Sequence, residues 1–190
     1  MKKSVEYFLS SGAQRSFLIQ SPTGVETHTV IEDLKSVIIT FFSSMNFNKT
    51  EALSHMSFIL NEKETKQPLK REIKLFETNL QKKPRPGILN IGIIDFDYVY
   101  NLPNEYNRLL KTIEEPPAET QIYIVSSNEK KLPKTIRSRL LVIPSPTIKE
   151  DSGNQEKNIN FNDTFSEIAK TINSFGASEL RSMFKKTISL

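Results

Sequence analysis

The stretch Ser21-Pro22-Thr23-Gly24-Val25-Glu26-Thr27-His28 has the length and placement of a phosphate-binding loop but not its chemistry. It follows a short apolar run at 17–20 (FLIQ) and precedes a helical pattern. A loop of the GxxxxGK[ST] type cradles phosphates with backbone N–H groups. Its lysine neutralises the β- and γ-phosphates, and its hydroxyl residue holds Mg²⁺. Here Ser21 and Glu26 stand at the two glycine positions, Thr27 at the lysine position and His28 at the hydroxyl position, while Gly24 lies between them. A side chain at Glu26 opposes the cradling conformation, and its carboxylate repels a polyphosphate. Without a lysine, no cation offsets the phosphate charge. This degenerate P-loop is expected not to bind ATP in the usual way.

A second set of residues gives the same reading. The apolar run 88–95 (ILNIGIID) ends on Asp95, as a Walker B strand ends on a Mg²⁺-holding aspartate. Phe96 stands where a glutamate would polarise the attacking water, and a phenyl ring cannot do so. Asp97 is one residue further on, and a continuing strand would turn it to the opposite face. Asp95 is therefore expected to be a structural or vestigial carboxylate rather than a metal ligand. Arg137, Ser138 and Arg139 follow a short helical pattern that begins at Pro133; from the pattern alone the arginines are surface residues. His28 and His55 lack a Ser or Asp partner at motif spacing. Glu114 and Glu115 precede Pro116 and Pro117, so they belong to a helix end and read as structural or interface residues. There are 0 cysteines, which excludes disulfides, thiolate zinc sites and cysteine nucleophiles.

The elements that must position these residues follow from periodicity. Short runs apolar on both faces, at 17–20, 56–60, 88–95, 121–126 and 140–143, alternate with amphipathic stretches at 29–45, 68–83 and 104–115. A proline at a first helical turn opens the second of these, and KKPRPG ends it. The alternation predicts an α/β fold with a parallel sheet flanked by helices. In such a sheet the loop after the first strand is the natural phosphate site. After Pro146 the composition turns polar. The expected organisation is an α/β domain at 1–146, a linker at 147–162 and a short helical segment at 163–190.

The chain has 190 residues, 37% hydrophobic and 25% charged, enough for one core plus a small appendage. No apolar run reaches the roughly 18 residues that span a bilayer, and the N-terminus has no signal-peptide pattern. With the lack of cysteines, a cytoplasmic location is expected. The net charge of +4 permits nucleic-acid contact without requiring it. Residues 63–85 carry eight Lys/Arg against three Glu. That run reads either as a solvated helix face or as a phosphate-tracking surface for primer–template DNA.

Two stretches carry a resemblance beyond fold. Residues 107–117 read NRLLKTIEEPP and residues 128–140 read NEKKLPKTIRSRL. At this spacing they resemble the bacterial DNA polymerase III clamp-loader subunits of the AAA+ class, whose motifs are LLKxLEEPP and KLxPTIxSRC. Between them QIYIVSSN is similar to the strand carrying the sensor-1 polar residue, at Ser126 or Ser127, and LKREIKLF at 69–76 resembles an IRE-containing helix. The resemblance covers roughly residues 14–146 and is strongest from about 88 to 143. It implies an AAA+, P-loop-NTPase-like fold with a reduced C-terminal lid. The degenerate loop favours a delta-prime-like subunit over the hydrolysing gamma/tau type.

The resemblance implies that Arg139 is an arginine finger acting in trans, with Ser138 completing the motif. It also implies no cofactor, no metal and no intrinsic ATPase activity. The implied partners are a gamma/tau-type ATPase subunit and a delta subunit in a hetero-oligomer, with primer–template DNA reached through the complex and no membrane. The alternatives are an AAA+ ATPase with divergent motifs, or a degenerate AAA+ scaffold outside the clamp loader. Three departures stand out. Leu140 replaces the family's cysteine, residues 43–54 carry no zinc module, and the 44 residues after Pro146 leave no length for a collar domain.

Overall fold

Strands that are apolar on both faces need a covering layer on each side, and this chain supplies both. The computed structural model describes residues 1–60, 69–100 and 103–144. Among these, five strands, β1 (Arg15–Gln20), β2 (Met56–Ile59), β3 (Asn90–Asp95), β4 (Thr120–Ser126) and β5 (Leu141–Ile143), form one sheet. Its order is β2-β3-β4-β1-β5 and every pairing is parallel. Parallel neighbours need crossovers, and helices provide them. The fold is the α/β fold expected from the sequence.

Side chains alternate between two cores along each strand. Phe17, Ile19, Ile91, Ile93, Tyr123 and Val125 face one core. There they meet α1 (Lys2–Ser11), α2 (Thr27–Ser44) and α3 (Lys49–Ser54). Leu18, Ile94, Ile122 and Ile124 face the other. That core is closed by α4 (Leu69–Leu80), α5 (Phe96–Tyr100), α6 (Pro103–Glu114) and α7 (Lys134–Arg137). Helix α4 shows the sequence logic plainly: Leu69, Ile73, Phe76 and Leu80 are its buried positions, at helical spacing. Strand β3 carries Gly92 because no larger residue fits. A Cβ there would lie 2.7 Å from the Phe76 ring.

Buried polar side chains at the starting edge of the sheet tie down helix ends. Gln121 Nε2 donates to the carbonyls of Phe8 (2.8 Å) and Ala13 (2.9 Å), holding the end of α1. Asn90 Nδ2 donates to the carbonyls of Leu80 (3.2 Å) and Lys82 (2.5 Å) at the end of α4. Ser16 Oγ donates to the Ile113 carbonyl (2.6 Å) near the end of α6. The Phe8, Leu80 and Ile113 carbonyls lie in last turns, where a helix leaves carbonyls without an intrahelical partner, and Ala13 and Lys82 lie just beyond their helices.

The expected strands appear within a residue or two of their anticipated bounds. The run at 88–95 pairs only from Asn90, because Gly87 (φ 84°) and the turn around it deliver Ile88 and Leu89 to the core outside the ladder. Helices α1, α3 and α5 were not anticipated. Helix α1 buries only Val5 and Leu9 fully, and α3 and α5 have six and five residues, too few for periodicity to register. The second half of residues 43–54, noted as lacking a zinc module, is α3, opened by a capping box between Asn48 and Glu51. The linker at 147–162 and the helical segment at 163–190 lie outside the described residues.

Candidate functional site

The finishing ends of β1, β3 and β4 lie side by side, because β4 sits between the other two. The register pairs Gln20 with Ser126 and Asp95 with Val125. This brings the loop at 21–26, the Asp95 carboxylate and the Ser126-Ser127 pair to one edge of the sheet. Sequence reasoning placed these in separate motifs, and the sheet assembles them into one site.

The loop bonds to itself. Val25 N–H donates to the Pro22 carbonyl (3.0 Å), closing a four-residue turn. Gly24 is at φ 81°, the positive value that a type II turn requires at its third position. Ser21 Oγ donates to the Val25 carbonyl (2.7 Å), and Ser21 N–H donates to the Ser126 carbonyl (2.8 Å). Both the Val25 amide and the Ser21 hydroxyl are thus committed within the protein. Glu26 is the N-cap of α2 and makes no side-chain capping bond; its side chain and that of His28 are exposed. Thr27, the first residue of α2, donates from Oγ1 to Asp95 Oδ2 (3.1 Å).

Asp95 is 5% exposed and fully engaged. Besides the Thr27 bond, its Oδ1 accepts from the N–H groups of Asp97 (3.1 Å) and Tyr98 (3.4 Å), so it caps the start of α5. Burial pushes this carboxyl above its ordinary 3.8; the bonds from Thr27 and Tyr98 oppose that rise without cancelling it. Phe96 is 1% exposed and packs into the core beneath the sheet with Leu18, Ile94 and Ile124. A water-polarising carboxylate at that position would have to be buried there.

The expectation for Asp97 is corrected here. The chain leaves the strand at Asp95 and turns helical at Phe96, so strand alternation does not apply. Asp97 swings into the first turn of α5 and meets β4. Its Oδ1 accepts from Ser126 Oγ (2.8 Å) and pairs with Lys131 Nζ (3.1 Å), and its Oδ2 accepts from the Ser127 N–H (3.2 Å). Partial burial pushes this carboxyl up. Bonds from Ser127, Ser126 and Lys131 outweigh that and hold it below its ordinary 3.8. Asp97 and Lys131 are the site residues that motif reading missed. The available signal was an Asp-X-Asp sequence at a strand end, which supplies a helix cap and an acidic first turn together.

Arg139 lies elsewhere. It precedes β5, whose Leu141 pairs with Phe17 and whose Ile143 pairs with Ile19, so the chain runs from Arg139 toward the finishing edge. Its side chain is 57% exposed, and Nη1 pairs with Glu114 Oε1 at 2.5 Å. Glu114 ends α6, next to Ile113, whose carbonyl accepts from Ser16 near the start of β1. The pair therefore sits toward the starting edge, opposite the Ser21–Asp95 cluster. Arg137 turns to Glu129 instead, at 3.6 Å. Ser138 is exposed and donates to the Thr135 carbonyl (3.0 Å) of its own helix.

Among the described residues, no group of three or more His, Asp or Glu side chains converges to hold a metal. No helix among them is long and apolar enough to cross a membrane.

Comparison with known proteins agrees with this architecture. A family model described as "DNA polymerase III, delta subunit" matches residues 8–149. The DNA polymerase III subunit tau of Salmonella typhimurium is 38% identical over 63 residues, 33% of this chain and 10% of that protein. The DNA polymerase III subunit gamma of Buchnera aphidicola is 34% identical over 70 residues, 37% of this chain and 19% of that protein. The match thus spans no more than a fifth of either relative's length. A DNA polymerase III gamma subunit-related protein of Thermotoga maritima has a similar crystal structure, with a TM-score of 0.58 at 19% identity. That likeness covers 78% of this chain and 46% of the other, and it concerns the fold.

Proposed function

The chain belongs to the DNA polymerase III delta subunit family, among the clamp-loader subunits, and from that premise we propose that it is a delta-prime-like subunit that does not hydrolyse ATP. In this reading it joins a gamma/tau-type ATPase subunit and a delta subunit in a cytoplasmic hetero-oligomer. It helps that assembly load a sliding clamp onto primed DNA, and DNA is reached through the complex.

The observation that carries the reading is the state of Asp95. Its two oxygens serve Thr27 and the start of α5, and buried Phe96 follows it. A Mg²⁺-nucleotide would need that carboxylate, a cation at Thr27 and a base at Phe96. The loop at 21–26 adds support, since its Ser21 hydroxyl and Val25 amide are bonded within the loop.

Arg139 is assigned the part of an arginine finger serving the neighbouring subunit's ATP. A guanidinium stays charged and presents forked donors, which suits the charge growing on a transferred phosphoryl group. Fingers of this kind are worth about 10³ to 10⁵ in rate. The position of Arg139 supports action in trans, because it is exposed and lies toward the edge opposite its own nucleotide-site remnant.

The test is reconstitution with a gamma/tau-type ATPase. Arg139→Ala is expected to lower the complex's ATPase rate while leaving assembly intact, and an unchanged rate rejects the finger. The full chain alone is expected to give no heat on titration with Mg-ATP and to release no phosphate from it; micromolar binding accompanied by phosphate release rejects the non-hydrolysing reading.

A further inference from the structure

We propose that Glu114 is a positioning residue for Arg139, a role that rests on the finger reading above. The two side chains form an ion pair at 2.5 Å. Both backbones are fixed. Glu114 ends a helix anchored by buried Leu109 and Ile113, with the Ile113 carbonyl held by Ser16. Arg139 N–H donates to the Ile136 carbonyl (2.9 Å), and Leu140 beside it is 8% exposed. Only the two long side chains retain freedom, and the ion pair narrows it.

The contact engages one terminal nitrogen of the guanidinium. With the arginine side chain 57% exposed, its other donors remain accessible to an incoming anion. Ordering a long, flexible arginine before it meets its target reduces the entropy lost when it binds. Arg137 points away from this pair, toward Glu129 at 3.6 Å.

The placement of Glu114 argues for a purpose beyond helix stability. The last turn of a helix carries partial negative charge, so a carboxylate there is unfavourable and a cation is preferred. Glu114 is the final residue of α6. A glutamate at that point weakens its own helix slightly while holding the arginine.

The experiment measures steady-state ATPase of the reconstituted complex with this subunit in full. Glu114→Ala is expected to lower kcat roughly tenfold, as a slightly misplaced group does, with KM for ATP unchanged. Glu114→Gln keeps an acceptor oxygen and is expected to restore most of the rate. The double variant Glu114→Ala/Arg139→Ala is expected to be no slower than Arg139→Ala alone. In the isolated chain, the Arg139 side-chain N–H resonance is expected to sharpen toward the mobile limit in Glu114→Ala. A wild-type kcat for Glu114→Ala beside a reduced kcat for Arg139→Ala overturns the positioning role and leaves the finger standing. An unchanged kcat for Arg139→Ala overturns both.

Discussion

Replacing Asp95 separates a structural carboxylate from a metal ligand. In Asp95→Ala, two contributions vanish: the cap on α5 and the acceptor for Thr27 Oγ1. A lost N-cap costs about 1 kcal/mol, and a lost hydrogen bond about 1 kcal/mol more. The sum, about 2 kcal/mol before relief of the buried charge is credited, sets an upper bound of roughly 4–8 °C on the fall in Tm for a chain of this size. Asp95→Asn behaves differently. Its Oδ1 still caps the helix, and its amide donates to a Thr27 hydroxyl that turns to accept. It also removes a charge whose burial is unfavourable. Because burial raises the folded-state carboxyl above 3.8, the folded chain holds this proton more tightly than the unfolded chain. Stability therefore falls as pH rises through the window between those two values. At pH 7 the Asn variant is expected to match or exceed the wild type, and the gap is expected to close as pH drops through that window. Urea denaturation of the full chain at several pH values reads both quantities. An Asn variant as unstable at pH 7 as the Ala variant would refute the reasoning, for it would mean that the negative charge itself is needed.

Two further substitutions test the surroundings. Asp97 has its carboxyl held below 3.8, so it contributes stability above the ordinary carboxylate range, and that contribution is lost as pH falls through its depressed value. Asp97→Asn is expected to be about 1–2 kcal/mol less stable at pH 7 and less acid-sensitive below pH ~4 than wild type, read by urea titration across pH. Gly92→Ala places a methyl 2.7 Å from the Phe76 ring, which is 1% exposed and has nowhere to move. Thermal unfolding is expected to show about 1–3 kcal/mol of destabilisation, and a wild-type Tm would contradict the close approach.

Much of this was legible in residue types. Residues 17–19 and 122–125 are apolar at consecutive positions, as expected of a short strand covered on both faces. The two-core arrangement follows from strands covered on both faces, whereas the strand order β2-β3-β4-β1-β5 was not anticipated, because the crossover rules leave several orders open. The loop at 21–28 departs from a phosphate-binding pattern in the residues themselves, with Glu26 and Thr27 at the second glycine and lysine positions. What escaped was contact across sequence distance. Nothing in the local pattern tells that Thr27 reaches Asp95, 68 residues away, or that Asp97 meets Ser126, 29 residues away. Helix α5 escaped because five residues carry no period, and its cap at Asp95 was read as part of a strand-end motif. Glu114 was read as part of a helix end, and its ion pair with Arg139 is visible only once α6 and α7 stand next to each other.

The side-chain bonds at the starting edge of the sheet bear on the order in which a growing chain can settle. Gln121 holds the end of α1 from 113 residues downstream of Phe8, and β1 has no ladder partner until β4 or β5 exists. Synthesis delivers the N-terminus first, at about 5–20 residues per second. For several seconds after α1 and β1 leave the ribosome they have no sheet to join, and β2 must wait for β3 in the same way. Strand β4 is the central strand of the sheet and the fourth to be made, so its emergence is the event that closes both halves at once. Nascent chains halted before that point should remain open to proteolysis throughout. Chains halted just beyond it should acquire protection of α1 and β3 in a single step.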